Sequence, residues 1–232
     1  MLCAWDLTRD FGGVHALREV ELHVPRGSIT GLIGPNGSGK TTFFQVVSGM
    51  DRGARGRVTF DGEDILGMRP SRIYHRGLAR TFQLSRVFPQ LTVLENLVVA
   101  GTRHDRSDRE RALGLLERVG LEDYQAVPGS ELSYGQQKLV EFLRVLMSEP
   151  ALILLDEPAA GVNPTLRRTL WGMVRHMNAL GTTFLVIEHD MGVIADLCTE
   201  VYVLNEGEII THGDFDAVRD DPSVLEAYFG KA

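Results

Sequence analysis

The chain has 232 residues, 44% of them hydrophobic, and a formal net charge of −7, which suits a single domain with a sizeable core and argues against a broad basic surface for nucleic acid. Its two cysteines, Cys3 and Cys198, are too few for a disulfide framework and stand in no metal-ligand spacing, which fits a reduced, cytoplasmic setting. Met1 to Asp6 lack the basic-then-apolar pattern of a signal peptide, and no apolar run approaches the ~20 residues of a membrane span, so a membrane process would need another chain.

In chain order, Leu2 to Thr8 and Val14 to Val24 read as strands joined by a turn at Phe11-Gly12-Gly13, an antiparallel β-ribbon. Phe11 either stacks on a purine base or packs as any ring beside a Gly-Gly turn. Ser28 to Ile33 is a further strand, and Thr41 to Ser48 a helix carrying Phe43, Phe44, Val46 and Val47. Between them, Gly34-Pro35-Asn36-Gly37-Ser38-Gly39-Lys40-Thr41-Thr42 fits the phosphate-binding pattern G-x-x-x-x-G-K-[ST] in the strand, loop, helix context that the pattern requires. The glycines let successive N–H groups point at one anion, and the helix start adds its positive dipole end. Lys40 would reach the β- and γ-phosphates of a nucleoside triphosphate, and the Thr41 hydroxyl would ligate Mg2+.

Gly56 to Asp61 suggests a strand ending at a turn, Pro70 to Arg76 a short helix with proline near its first position, and Leu78 to Gln83 another strand. Leu84 to Leu91 has apolar residues without a period, as in a lid or a docking surface. Thr92 to Ala100 and Asp108 to Val119 are helical, the first opened by a Thr92/Glu95 capping box. A helix with Leu139, Leu143, Leu146 and Met147 on one face then starts at Leu132-Ser133-Tyr134-Gly135-Gln136, with Ser133 and Gln136 as a second capping box. Capping leaves Gly135 without a reason, since glycine weakens a helix, whereas close approach of an anion would supply one. No strand signal interrupts this region, so residues 91–148 form a helical insertion between two strands of the main sheet.

Ala151 to Glu157 is a continuous apolar run ending in two carboxylates, the mark of a buried parallel strand whose C-terminal end faces a ligand. Side chains alternate along a strand, so Asp156 and Glu157 should differ in role, one holding Mg2+ and the other facing the reacting phosphate. Pro158 to Pro164 is a turn-rich connector, Thr165 to Ala179 a helix, and Thr182 to Ile187 a strand ending in Glu188-His189-Asp190. Its position at a strand end marks His189 out from an ordinary surface histidine. Met191 to Leu197 is helical, Glu200 to Asn205 and Glu208 to Thr211 make a hairpin, and two short helical stretches follow.

These residues, taken together, resemble the ATP-binding subunits of ABC transporters over essentially the whole chain. Besides the phosphate loop, Gln83 matches the Q-loop, Leu132 to Gln136 the signature motif, Leu152 to Glu157 the Walker B strand, Ala159 to Asn163 the D-loop and His189 the switch histidine, all in the family's order. The resemblance implies an α/β P-loop NTPase fold of the ABC type: one domain over residues 1–232, with a core of about 1–90 and 149–232 and a helical subdomain of about 91–148. It implies a head-to-tail dimer enclosing ATP, in which Ser133, Gly135 and Gln136 of one subunit contact nucleotide held by the phosphate loop of the other. Asp156 and Thr41 would bind Mg2+ with Gln83 completing the set, Glu157 would polarise the attacking water, and His189 would stabilise the transferred phosphoryl group. Partners would be a second ABC ATPase, identical or paralogous, two transmembrane permease subunits and an extracytoplasmic solute-binding protein, which places the chain peripherally on the cytoplasmic face of the membrane.

Tyr134 stands where the family usually has glycine, Asn163 where aspartate is common, and Phe11 where tyrosine is frequent. With Arg80-Thr81-Phe82-Gln83, Glu188-His189-Asp190-Met191 and the ending Glu226 to Gly230, the sequence is similar to the ATPases of the branched-chain amino acid uptake branch. Urea, short amides or another polar solute are alternative cargoes for the same ATPase. A non-transport ABC ATPase would carry a long coiled-coil insertion or two fused nucleotide domains, neither of which is present, and a phosphate-loop kinase would carry an acceptor-binding lid and leave the signature helix without a role.

Overall fold

The structure is a computed structural model and describes residues 1–81, 87–103 and 105–229. Two sheets organise it. The first is antiparallel, built from β1 (Leu2–Phe11), β2 (Val14–Val24), β4 (Arg55–Phe60) and β5 (Glu63–Asp64), in the order β2-β1-β4-β5. The second contains β3 (Ile29–Ile33), β6 (Leu78–Arg80), β7 (Leu152–Asp156), β8 (Thr183–Ile187), β9 (Glu200–Asn205) and β10 (Glu208–Gly213), in the order β10-β9-β3-β8-β7-β6. All neighbours in it are parallel except the β9–β10 hairpin, so the second sheet is mixed.

Alternation along the central strands divides the interior into layers. Ile153 and Leu155 of β7, with Phe184 and Val186 of β8, join a core shared with the helices α3 (Val93–Val98), α4 (Arg106–Val119), α5 (Tyr134–Leu146) and α6 (Pro164–Ala179). Leu152, Leu154, Leu185 and Ile187, one step out of phase, join a second core under the antiparallel sheet and α1 (Lys40–Val47). Period-two side-chain direction in an all-apolar strand is what lets one sheet carry both. A smaller third cluster lies under the C-terminal helices α8 (Phe215–Arg219) and α9 (Pro222–Phe229).

The helices between β6 and β7 form as their sequences direct. Both capping boxes are present, Thr92 with Glu95 and Ser133 with Gln136, and Leu139, Leu143, Leu146 and Met147 are buried against the helical core. Each such side chain contributes roughly 1.5–3 kcal/mol of burial. Two short 3₁₀ turns, Glu122–Tyr124 and Gly129–Glu131, join α4 to α5.

Several boundaries differ from the sequence reading, and three of them have a visible cause. β1 runs on to Phe11 through register shifts against β2, which lets a strand carry a local kink without ending. α4 begins at Arg106 because the Asp105 carboxylate accepts the Ser107 N–H and so caps the helix two residues early. β6 stops at Arg80: the Thr81 hydroxyl accepts the Asp156 N–H at 3.3 Å, where a continuing strand would offer a carbonyl. Gln83 lies outside the described residues.

Candidate active site

Parallel pairing brings the C-terminal ends of β3, β7 and β8 to one edge, where the phosphate loop, Asp156-Glu157 and Glu188-His189 meet. Such an edge is where ligands bind in open α/β sheets. The loop's shape depends on glycine at Gly34, with φ 150°, where a Cβ would sit 2.0 Å from the Leu204 carbonyl oxygen, and at Gly39, with φ 110°, where it would sit 2.4 Å from that of Ala16. The hairpin that carries Leu204 also holds Ser38, whose carbonyl accepts the Gly207 N–H at 2.9 Å. Gly39 caps α1 in a left-handed conformation and offers no side-chain acceptor to the first turn.

Lys40 curls back over this loop, its Nζ donating to the carbonyls of Gly34 at 2.7 Å and Pro35 at 2.8 Å. Burial pushes its ammonium below the ordinary lysine value, and the nearby Glu157 and Asp156 charges oppose that shift. Thr41 is exposed at the helix start. A cleft of about 630 Å³ opens over Asn36, Gly37, Ser38, Gly39, Lys40, Thr41 and Thr42, and Glu157 forms part of its wall.

The two carboxylates after β7 have separate surroundings. Asp156 is 1% exposed; its Oδ2 accepts from Arg80 Nη2 at 2.8 Å, while its Oδ1 is buried without a partner. Glu157 is already off the strand, with a left-handed φ of 47°, and its Oε1 lies 2.7 Å from His189 Nε2. The separation expected from strand alternation is therefore produced by a backbone turn. Glu188 is buried beneath this pair, its Oε2 accepting the His189 N–H at 3.1 Å. Burial pushes the Glu188 carboxyl above its ordinary value, although the backbone N–H groups of His189, Ala159 and Asp190 all pull it down.

Not every residue singled out from the sequence reaches this cleft. Phe11 is exposed with the Arg9 guanidinium 4.1 Å over its ring; Val14, His15 and Ala16 line the cleft on that side instead. Ser133, Gly135 and Gln136 sit at the start of α5, apart from it. A Cβ at Gly135 would lie 2.7 Å from Leu166 Cδ1, the movable end of a flexible side chain, a neighbour that the sequence reading missed. Two of the three departures from the family pattern have partners in the same region. Tyr134 lies over Gly161, and Asn163 caps α6 by accepting the Leu166 N–H at 3.0 Å, a task aspartate and asparagine share. The pairing of Arg80 with Asp156 had no signal in the sequence, because the two are 76 positions apart. A larger groove of about 890 Å³ runs beside β2 and β10 past Asp10, Arg55 and Glu208, but it lacks the phosphate loop, so size does not mark the chemistry.

This architecture is that of an ATP-binding cassette. The sequence model of the family described as "ABC transporter" matches residues 17–160. The probable branched-chain amino acid transport ATP-binding protein LivG of Archaeoglobus fulgidus is 38% identical, with 97% of this chain and 93% of that protein aligned. The high-affinity branched-chain amino acid transport ATP-binding protein BraF of Pseudomonas aeruginosa is 36% identical over 97% of this chain and 96% of its own length. Among solved structures, the ADP conformation of an ABC transporter's ATP-binding cassette superposes with a TM-score of 0.90 at 35% identity, covering 100% of this chain and 99% of that one. The dimeric structure of a bacterial ABC transporter cassette gives 0.81 at 26% identity, covering 93% and 99%. The chain belongs to the ATP-binding proteins of the ABC transporter family, and it is an ATP hydrolase of that family.

Proposed function

We propose that this chain energises an importer of branched-chain or other hydrophobic amino acids, hydrolysing ATP at a site in which Glu157 is the base and His189 its partner. The 2.7 Å contact between Glu157 Oε1 and His189 Nε2, on the wall of the cleft that holds the phosphate loop, is the observation that carries the catalytic part. The cargo rests on relatives such as the LivG and BraF proteins, whose names specify branched-chain amino acid transport.

ATP phosphates would lie against the N–H groups of Gly37 to Thr42, with the Lys40 ammonium exchanging its loop carbonyls for phosphate oxygens. The residues suit Mg2+: Thr41 offers an exposed hydroxyl, and the buried Oδ1 of Asp156 lacks a partner while Arg80 holds Oδ2. Gln83 would join them. Mg2+ bound there would neutralise charge that develops on the β- and γ-oxygens. Glu157 would accept the proton of the attacking water, and the His189 imidazole would hold Glu157 in line and donate to the γ-phosphoryl group. Phosphoryl transfer of this kind is positioning and electrostatics, so few groups suffice.

Ser133, Gly135 and Gln136 do not line the cleft of their own chain, which suits a role toward nucleotide bound by a second subunit in a head-to-tail dimer. Residues 91–148 would then act as a helical subdomain beside a core of 1–90 and 149–232, docking two permease subunits at the cytoplasmic face of the membrane, with a solute-binding protein on the far side. Phe11 would stack on the adenine once Arg9 moves off its ring. No helix among the described residues is long and apolar enough to cross a membrane. Glu157→Gln should keep ATP affinity, lower turnover by about a hundredfold or more, and trap a nucleotide-bound dimer. Near-normal hydrolysis by that variant would overturn the assignment.

A further inference from the structure

Asp156 is held from one neighbouring strand through both its main chain and its side chain. β6 lies parallel to β7 with Arg80 opposite Leu154, so the end of β6 reaches the residues that follow. Thr81 grips the backbone there: its N–H donates to the Leu154 carbonyl at 3.0 Å, and its hydroxyl accepts the Asp156 N–H at 3.3 Å. Arg80 grips the carboxylate, Nη2 donating to Oδ2 at 2.8 Å, with the two side chains 9% and 2% exposed.

The guanidinium is anchored at its other end as well. Its Nη1 donates to Ser48 Oγ at 3.3 Å, and its carbon stands 5.6 Å from the centroid of the Phe44 ring. Ser48 is the C-cap of α1, and its own hydroxyl donates to the Phe44 carbonyl at 2.6 Å. Arg80 therefore bridges the far end of the phosphate-loop helix to the end of β7, and the negative pole of a helix favours a cation there. A planar fork makes that span with two nitrogens, which a single ammonium cannot. The consequence falls on Asp156. A carboxylate free to turn offers either oxygen, but here Oδ2 is fixed and Oδ1 is left buried without a hydrogen bond. A buried acceptor in that condition is costly until something binds it.

We propose that Arg80 is a positioning residue for the metal site: it locks the Asp156 carboxylate between α1 and β7 so that Oδ1, and not Oδ2, is the oxygen offered to Mg2+. The inference rests on the reading of Asp156 as a metal ligand. Arg80 acts through the oxygen that it occupies, so its loss should weaken what the metal adds to nucleotide binding and spare what the phosphate loop supplies by itself.

The test uses the full-length chain and a non-hydrolysable ATP analogue, titrated once with excess EDTA and once with Mn2+ as the metal probe. The ratio of the two affinities is the gain that the metal supplies. Arg80→Ala should lower that gain about tenfold or more, while the affinity in EDTA stays within about threefold of the parent. Arg80→Lys keeps a cation beside Asp156 but not the span, and its gain should fall about threefold or more. It carries the test if the alanine variant, with its buried carboxylate left alone, does not fold. Ser48→Ala leaves the ion pair and removes its far anchor, which should lower the gain about threefold. Parental gain in any of these three variants overturns the inference. So does an Arg80→Ala chain that loses affinity equally with Mn2+ and with EDTA, the mark of a merely structural role. Asp156→Asn is the reference. A lowered gain there beside parental gain in the Arg80 variants sinks this inference alone, whereas parental gain in Asp156→Asn sinks the metal-ligand reading on which it rests.

Discussion

Two helix starts in this molecule face opposite problems. α1 begins at Gly39, which offers no side-chain cap, so the first-turn N–H groups are left to a ligand. α5 begins at Ser133, where a complete capping box closes the turn: the hydroxyl accepts the Gln136 N–H, and the Gln136 side-chain Oε1 accepts both the N–H and the hydroxyl proton of Ser133. The first is pre-arranged within one chain. The second is satisfied by itself and must exchange partners before it can hold phosphate. If both contribute to the same ATP, as proposed, the cassette binds nucleotide alone but completes its site only on association.

The largest expected effect lies at the open start. Lys40→Ala removes the one ammonium in the phosphate loop and should weaken ATP binding and lower hydrolysis by about a hundredfold or more, measured by nucleotide titration and phosphate release. Gly135→Ala probes the closed start. The added methyl meets the flexible end of Leu166 and gains up to about 1 kcal/mol of helix propensity, so stability to denaturant should stay within about 1 kcal/mol. Hydrolysis should nonetheless fall about tenfold if the glycine serves phosphate approach in a dimer. Parental activity with lowered stability would reduce Gly135 to a packing residue. Ser133→Ala removes the cap and should cost about 1 kcal/mol in unfolding free energy, with a smaller loss of hydrolysis because the Gly135 backbone remains.

The smallest effect concerns pH. The Glu188 carboxyl is raised by burial above 4.5, so it is neutral in both folded and unfolded chains at lower pH, and the folded state loses stability as pH climbs through the raised value. Glu188→Gln removes that loss. Its midpoint of thermal unfolding should match the parent below the ordinary glutamate value and exceed it by a constant amount once pH has passed the raised one, as calorimetry would show. An equal difference at both ends would mean that the carboxylate is fully compensated by its N–H donors.

Much of this arrangement is legible in the sequence, for a physical reason. The phosphate loop, the apolar strand into Asp156 and both capping boxes are local patterns, in which each residue's task is set by near neighbours. What the sequence hides depends on distance along the chain. Arg80 meets Asp156 across β6 and β7, Leu166 covers Gly135 across two helix starts, and Arg9 covers Phe11 where the open ring invited a stacking reading. Asp156 and Glu157 are distinguished by a left-handed turn at Glu157, a conformation that nothing in its residue type announces.

The Lys40 ammonium lies against the carbonyls of its own loop. On the proposed reading, ATP arrival is then a substitution at one cation, phosphate oxygens replacing Gly34 and Pro35, and product departure is the reverse reaction with its entering group already tethered. The effective concentration of those carbonyls is that of an intramolecular partner, so they compete with spent nucleotide at every moment. On that reading a loop built this way would assist its own clearance, since the contacts that hold its shape would also help to expel ADP.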